Sequence, residues 1–246
     1  MDLSEIYRQD IHKVIGFTPK ISFEILPPLG NDISLLYEKL RFLRLYNPVL
    51  ISLAHSSNNG VNRFSVEDMK SIRDLEFNLM PQFSCVSSIY SEMEKQITAI
   101  ENLGIENVLI NMGKIPDYIK TQELDFDSCS KLITYVKEKS TLSVGITYNI
   151  DNVNEKFFKV LKRDIDFGAD AIFTYPFENN EQFYHFIHRA SNLGINKPII
   201  AGIYVNDDLK SCAERCMDLI EFGVCGLHFY LTNNYESVSR VLENIL

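Results

Sequence analysis

The sequence predicts an α/β protein folded as a single (β/α)8 (TIM) barrel, and three observations carry that prediction. Short β-branched or apolar runs recur along the chain, each is followed by a longer amphipathic stretch, and eight such units fit a length of 246 residues. Parallel strands joined by right-handed crossovers close naturally at eight units; an open doubly wound sheet is the competing arrangement.

The opening segment, Leu3 to Val14, precedes the first unit and predicts an added N-terminal helix that covers the bottom of the barrel. The strands then follow as Ile21 to Leu26, Val49 to His55, Leu79 to Cys85, Asn107 to Met112, Leu142 to Tyr148, Ala171 to Phe177, Pro198 to Tyr204 and Gly226 to Leu231. Several are nearly continuous apolar runs, as strands covered by helices outside and packed side chains inside must be. Helical stretches between them include those from Ser91, Asn154, Asn180 and Asp207, which end at Gly104, Gly168, Gly194 and Gly223. Each opens on a side chain able to cap a helix and closes on a residue suited to the left-handed turn that stops one. No Pro/Gly/Ser-rich linker or low-complexity tract interrupts the series, so residues 1–246 read as one domain.

Hydrophobic residues make up 46% of the chain and charged residues 23%, enough apolar material for a sizeable core. A net charge of −9 without any Lys/Arg-dense run argues against a nucleic-acid partner, because neutralising phosphates takes clustered cations. No apolar run approaches the roughly 18 to 20 residues of a membrane span, and charges stand where a signal peptide would be apolar. A cytoplasmic protein without membrane association is expected. The five cysteines lack CxxC pairs and read as reduced thiols; Cys212 and Cys216, four apart, read as helix packing rather than a metal site. No His/Cys/carboxylate cluster has metal-site spacing, and no Walker loop, GxGxxG turn or GxSxG elbow occurs.

Barrels of this kind build their sites from strand C-termini. That selects Glu24, His55 with Ser56, Gln82 with Ser84, Asn111 with Lys114, Thr147 with Tyr148, Tyr175 with Phe177, Tyr204 with Asn206, and His228 with Tyr230. Glu24 interrupts an apolar strand, and two readings stand side by side. A partly desolvated carboxyl has the raised pKa of a general acid; a carboxylate tied to a lysine or to backbone amides is merely structural. Lys114 after Gly113 suits an anionic ligand or a solvated loop. The aromatics Tyr148, Tyr175, Phe177, Tyr204 and Tyr230 can stack on a flat ligand or fill the barrel, and His228 can be a catalyst or a hydrogen-bonded core group.

Six segments in order resemble the methylenetetrahydrofolate reductase family. SFEILPP from Ser22 is similar to its SFEFFPP, MPQFSC from Met80 to its PHLTC, and ENLGIENVLINMGKIP to its GI-N-hydrophobic-RGD-P segment. LKRDIDFGADAIFTYPF resembles LKRKVDAGADFIITQ-F-F, KPIIAGIY resembles PIIPGI, and GVCGLHFYLTN resembles GVPGLHFYTLN. The resemblance implies a flavin barrel carrying FAD, or FMN, that takes hydride from NAD(P)H or electrons from a donor protein and reduces a folate. It also implies association into dimers or tetramers. Glu24 matches the catalytic glutamate that helps open the folate's bridging ring. Gln82, Gly113, Lys114, Tyr148 and Arg163 fall at or beside flavin contacts, and Tyr175, Phe177, Tyr204, His228 and Tyr230 on the folate side. Several positions depart from the pattern: Gln82 replaces a histidine, Lys114 an aspartate, Asp164 a lysine and Tyr175 a glutamine, and TYNIDN replaces YPE-x-HP. Two departures reverse a charge, so the competing expectation is a flavin-free barrel that binds a folate or another flat anionic ligand, or a non-redox subunit of a methyl-transfer assembly.

Overall fold

The computed structural model describes residues 1–7, 19–27, 34–54, 64–114, 124–232 and 234–246. Eight parallel strands close in sequence order: β1 (Lys20–Ile25), β2 (Leu50–Leu53), β3 (Leu79–Ser84), β4 (Asn107–Asn111), β5 (Ser143–Tyr148), β6 (Ala171–Thr174), β7 (Ile199–Ile203) and β8 (Gly226–Leu231). β8 pairs back onto β1, so the barrel stands and the open sheet is excluded. The helices are α1 (Leu3–Ile6), α2 (Ser34–Leu43), α3 (Val66–Arg73), α4 (Tyr90–Asn102), α5 (Cys129–Lys139), α6 (Glu155–Asp166), α7 (Asn180–Asn192), α8 (Leu209–Phe222) and α9 (Tyr235–Ile245).

Period-two alternation sorts the strand residues into two environments. Phe23, Ile51, Val108, Val144 and Leu227 join the apolar layer shared with the helices. Leu50, Met80, Leu109, Ala171, Phe173 and Ile200 instead cluster with Leu3, Ile6 and Tyr7 inside the lower barrel. Gly145 belongs to that interior, since a Cβ there would lie 2.9 Å from Leu109 and 3.0 Å from Phe173. The opening helix plugs the bottom, as expected: the Leu3 N–H donates to Ser143 Oγ at 3.0 Å, and Tyr7 meets the Phe173 ring edge-on at 5.8 Å. The part of that predicted helix beyond Tyr7 lies outside the described residues, as do His55 and Ser56. Two residues further up each strand, the same inward face carries Glu24, Ser52, Gln82, Asn111 and Thr147. The barrel thus converts from an apolar base to a polar mouth.

All four glycines expected at helix ends have positive φ, from 67° at Gly104 to 117° at Gly168. Of the four expected N-caps, one holds, two shift by one residue and one by two. Asn154 caps α6 as expected, accepting from the Phe157 N–H at 3.0 Å. α7 is capped by Asn179, with Gln182 completing a capping box, because Asn180 turns inward to donate to the Asp218 carboxylate at 2.7 Å. Asp208, not Asp207, caps α8. α4 starts at Tyr90 rather than after Ser91, and the Tyr90 N–H donates to Asp125 Oδ2 at 2.8 Å. Its capping oxygen comes from a distant segment, which no local pattern reports. Among the described residues, no helix is long and apolar enough to cross a membrane.

Candidate active site at the barrel mouth

Strand register fixes the acid's neighbours. Glu24 of β1 stands level with Ser52 of β2 on one side and Tyr230 of β8 on the other. Gln82 of β3 reaches across Ser52: its Nε2 donates to Glu24 Oε2, and to Ser52 Oγ at 3.1 Å. The Gln82 carbonyl oxygen accepts in turn from Asn111 Nδ2 at 3.3 Å. A chain of side-chain amides from β4 to β1 therefore holds the carboxyl in one orientation. A glutamine suits this role because it accepts from one neighbour while donating to the next.

Above this chain opens a cavity of about 430 Å³ whose lining includes Glu24, Gln82, Asn111, Lys114, Tyr148 and Tyr175. Its size lies within the range of small-molecule sites. Burial pushes the Glu24 carboxyl up from 4.5 to about 7, and the hydrogen bond from Gln82 opposes the shift without cancelling it. Of the two readings of Glu24, the desolvated acid is the one the geometry supports; among the described residues no lysine pairs with it. Gly113 lies on the rim with φ 79°, and a Cβ there would fall 2.1 Å from Ser84 Oγ, so the β4 tip passes directly over β3. Thr147 also lines the cavity, and its buried hydroxyl has no partner among the described residues.

The structure brings together Glu24, Gln82, Gly113, Lys114, Tyr148 and Tyr175 around this one cavity. Tyr148 turns its hydroxyl outward, donating to the carboxylate of Asp164 on α6. Asp164 is fully buried, and burial raises its pKa against the lowering effects of the Tyr148 bond and the neighbouring Arg163 charge. Arg163 faces away, lining an outer groove with Lys159, Lys162 and Phe167. His228 is sealed beneath the site, level with Ser22, whose Oγ lies 2.8 Å from Nδ1. Burial pushes its pKa down to about 3, so the imidazole stays neutral. Tyr230 donates to the Thr174 carbonyl at 3.0 Å and lies 6.0 Å from the Tyr175 ring, behind the cavity wall. Phe177 stacks on Phe183 at 5.2 Å, away from the cavity, and Tyr204 stands 47% exposed at the β7 end.

Two residues of the site lie outside the candidates that the sequence offers. Ser52, which accepts from Gln82 just below the cavity, interrupts the apolar run of β2. Cys129 arrives from the start of α5, and nothing local marks it as facing the mouth. Among the described residues, no group of three or more His, Cys, Asp or Glu side chains is placed to hold a metal.

A closed (β/α)8 barrel with a poorly hydrated acid in a polar cavity at its C-terminal mouth is the class that fold and site define. Within that class the chain belongs to the methylenetetrahydrofolate reductase family, whose model matches residues 11–213. It is 21% identical over 282 residues to methylenetetrahydrofolate reductase (NADH) 1 of Arabidopsis thaliana, covering 91% of this chain and 48% of that protein. It is 25% identical over 206 residues to the 5,10-methylenetetrahydrofolate reductase of Escherichia coli K12, covering 81% of this chain and 68% of that one. The chain thus spans about half the length of the plant relative. Its fold also resembles tryptophan synthase from M. tuberculosis in an aminoacrylate-bound form, with a TM-score of 0.62, 9% identity, and coverage of 92% and 90% of the two chains.

Proposed function

We propose that this protein is a cytoplasmic oxidoreductase of the methylenetetrahydrofolate reductase type, reducing 5,10-methylenetetrahydrofolate to 5-methyltetrahydrofolate. The observation that carries this reading is Glu24: an inward carboxyl on a cavity floor, raised to about 7 by burial and oriented by Gln82. Such a group holds a proton near neutral pH and can deliver it. Its task is to protonate the folate nitrogen that leaves the bridging carbon. The carbon–nitrogen bond breaks with its electron pair going to that nitrogen, and the carbon becomes an iminium able to accept hydride.

The lining residues fit a flavin ring, as FAD or FMN. The orphaned Thr147 hydroxyl offers a hydrogen bond, Tyr148 and Tyr175 offer aromatic walls, and Lys114 offers a cation for a ring or phosphate that carries negative charge. A flavin, when bound, supplies the hydride, having been reduced by hydride from NAD(P)H or by electrons from a donor protein. Gln82 and Asn111 orient Glu24, and Tyr175 shields the cavity from the β6 side. Arg163, turned to the outer face of α6, takes no part.

One observation favours a second reading. The Tyr148 hydroxyl is committed to Asp164, and Arg163 is unavailable, so a barrel that binds a folate without flavin has support too. The visible absorption spectrum of protein purified without added cofactor separates the two. The visible absorption band of an oxidised flavin is the expected result. A colourless protein that still binds folate overturns the first reading. Turnover of Glu24→Gln is the second test: near-complete loss of folate reduction with folding intact is expected, and unchanged turnover removes the assigned role.

A further inference from the structure

Two thiols meet at the cavity wall. Cys85, the residue after β3, is buried; Cys129, the first residue of α5, is partly exposed and lines the cavity. Their sulfurs lie 4.0 Å apart, with the Cys85 S–H donating to Cys129. That bond first, and burial second, push the Cys85 thiol pKa up, so Cys85 holds its proton while Cys129 turns toward the solvent-filled side. Cys212 and Cys216 also share a side-chain hydrogen bond, but on a single helix. They are four apart on α8, where side chains stand about 5–6 Å apart at Cβ, beyond the roughly 3.5–4.5 Å that a disulfide spans. Cys85 and Cys129 come from separate elements, so no shared helix geometry fixes their spacing.

We infer that Cys85 and Cys129 form a redox-sensitive pair, which a small peroxide entering the cavity oxidises to a disulfide, and that this bond reshapes the cavity wall. The Cys129 sulfur, as thiolate, attacks one peroxide oxygen; the O–O bond breaks, and the departing hydroxide takes up a proton to leave as water. Cys129 becomes a sulfenic acid. The Cys85 sulfur then attacks Cys129, forming the S–S bond and expelling a second hydroxide, which is protonated to water. In total the two thiols lose two electrons and two protons, and the peroxide is reduced to two waters. Because an S–S bond is about 2.05 Å long, the sulfurs must approach by about 2 Å from their 4.0 Å separation. β3 is hydrogen-bonded to β2 and to β4, so the movement falls on the first turn of α5. Cys129, at the head of that turn, lines the cavity together with Tyr148 and Ser87. The device does not depend on which ligand the cavity takes.

The test treats the reduced full-length chain with hydrogen peroxide, then measures its intact mass, free thiols and proteolytic peptides. Expected are the loss of two of the five thiols, a mass lower by about 2 Da, and a Cys85–Cys129 cross-linked peptide that dithiothreitol releases. In Cys85→Ser the reaction should stop at a sulfenic acid on Cys129, trapped by dimedone. In Cys129→Ser all remaining thiols should persist. The chain has 12 tyrosines and no tryptophan, so near-ultraviolet circular dichroism reports on tyrosine packing, to which Tyr148 and Tyr175 of the wall contribute; it should change on oxidation of the wild type and not of Cys129→Ser. Five persisting thiols, a disulfide between other cysteines, or a sulfinate on wild-type Cys129 without a cross-link overturns the pair. A cross-link that leaves the tyrosine spectrum unmoved overturns the reshaping.

Discussion

Replacing Glu24 by glutamine isolates the energetic consequence of placing a carboxyl on the cavity floor. The folded protein holds this group at about 7 against an ordinary 4.5, because burial penalises the charge. A folded-state pKa above the unfolded one means that the fold binds the proton more tightly. The associated stabilisation is complete below about 4.5 and is lost as pH rises through about 7. At ~1.4 kcal/mol per tenfold change in proton affinity, that gap amounts to about 3 kcal/mol. Glu24→Gln keeps the shape and an oxygen for Gln82 to donate to, but cannot ionise, so the loss disappears. Urea unfolding of both proteins at pH 4.5, 6, 7 and 8 measures the difference. The variant should gain about 3 kcal/mol on the wild type across that range, since a desolvated charge costs the wild type alone. The subtraction also removes contributions from other titrating groups that the two proteins share. Parallel stability curves would show that water reaches the carboxyl freely, and the general-acid assignment would fall with it.

His228 acts in the opposite sense. Its pKa is depressed from 6.5 to about 3, so the stability of the neutral, buried ring is present above 6.5 and drains away as pH falls toward 3. His228→Phe should unfold at a lower pH than wild type in an acid titration followed by circular dichroism, and equal midpoints would show that the imbedded imidazole is not sealed from water. Gly202→Ala tests the closeness of β6 and β7, because a Cβ there would lie 2.0 Å from the Thr174 carbonyl oxygen, the same atom that accepts from Tyr230. A loss of about 1–3 kcal/mol is expected from a thermal melt; an unchanged melting temperature would refute that approach.

The barrel was legible in the sequence because each strand and helix carries its own local signal: an apolar run, a 3.6-residue stripe, a glycine stop. Glu24 was legible for the same reason, as a carboxylate set between the apolar Phe23 and Ile25. The chain of amides around it was not, since Glu24 and Gln82 lie 58 residues apart on strands that do not pair, and only closure of the barrel brings them face to face. Arg163 shows how packing decides which of two neighbours faces the barrel. The buried stripe of α6 runs Phe158, Leu161, Asp164 at three-residue steps, and a helix turns about 100° per residue, so Arg163 and Asp164 cannot both face the strands. Packing chooses the acid, and the Tyr148 hydroxyl gives it a hydrogen-bond partner. The two charge reversals against the family pattern are also opposite in sign: an acid becomes Lys114 at the β4 tip, and a lysine becomes Asp164 on α6. Counted one at a time, each looks like a lost ligand contact. Placed in the fold, they leave the local charge unchanged and exchange its position, with the cation on the cavity rim and the acid behind its wall.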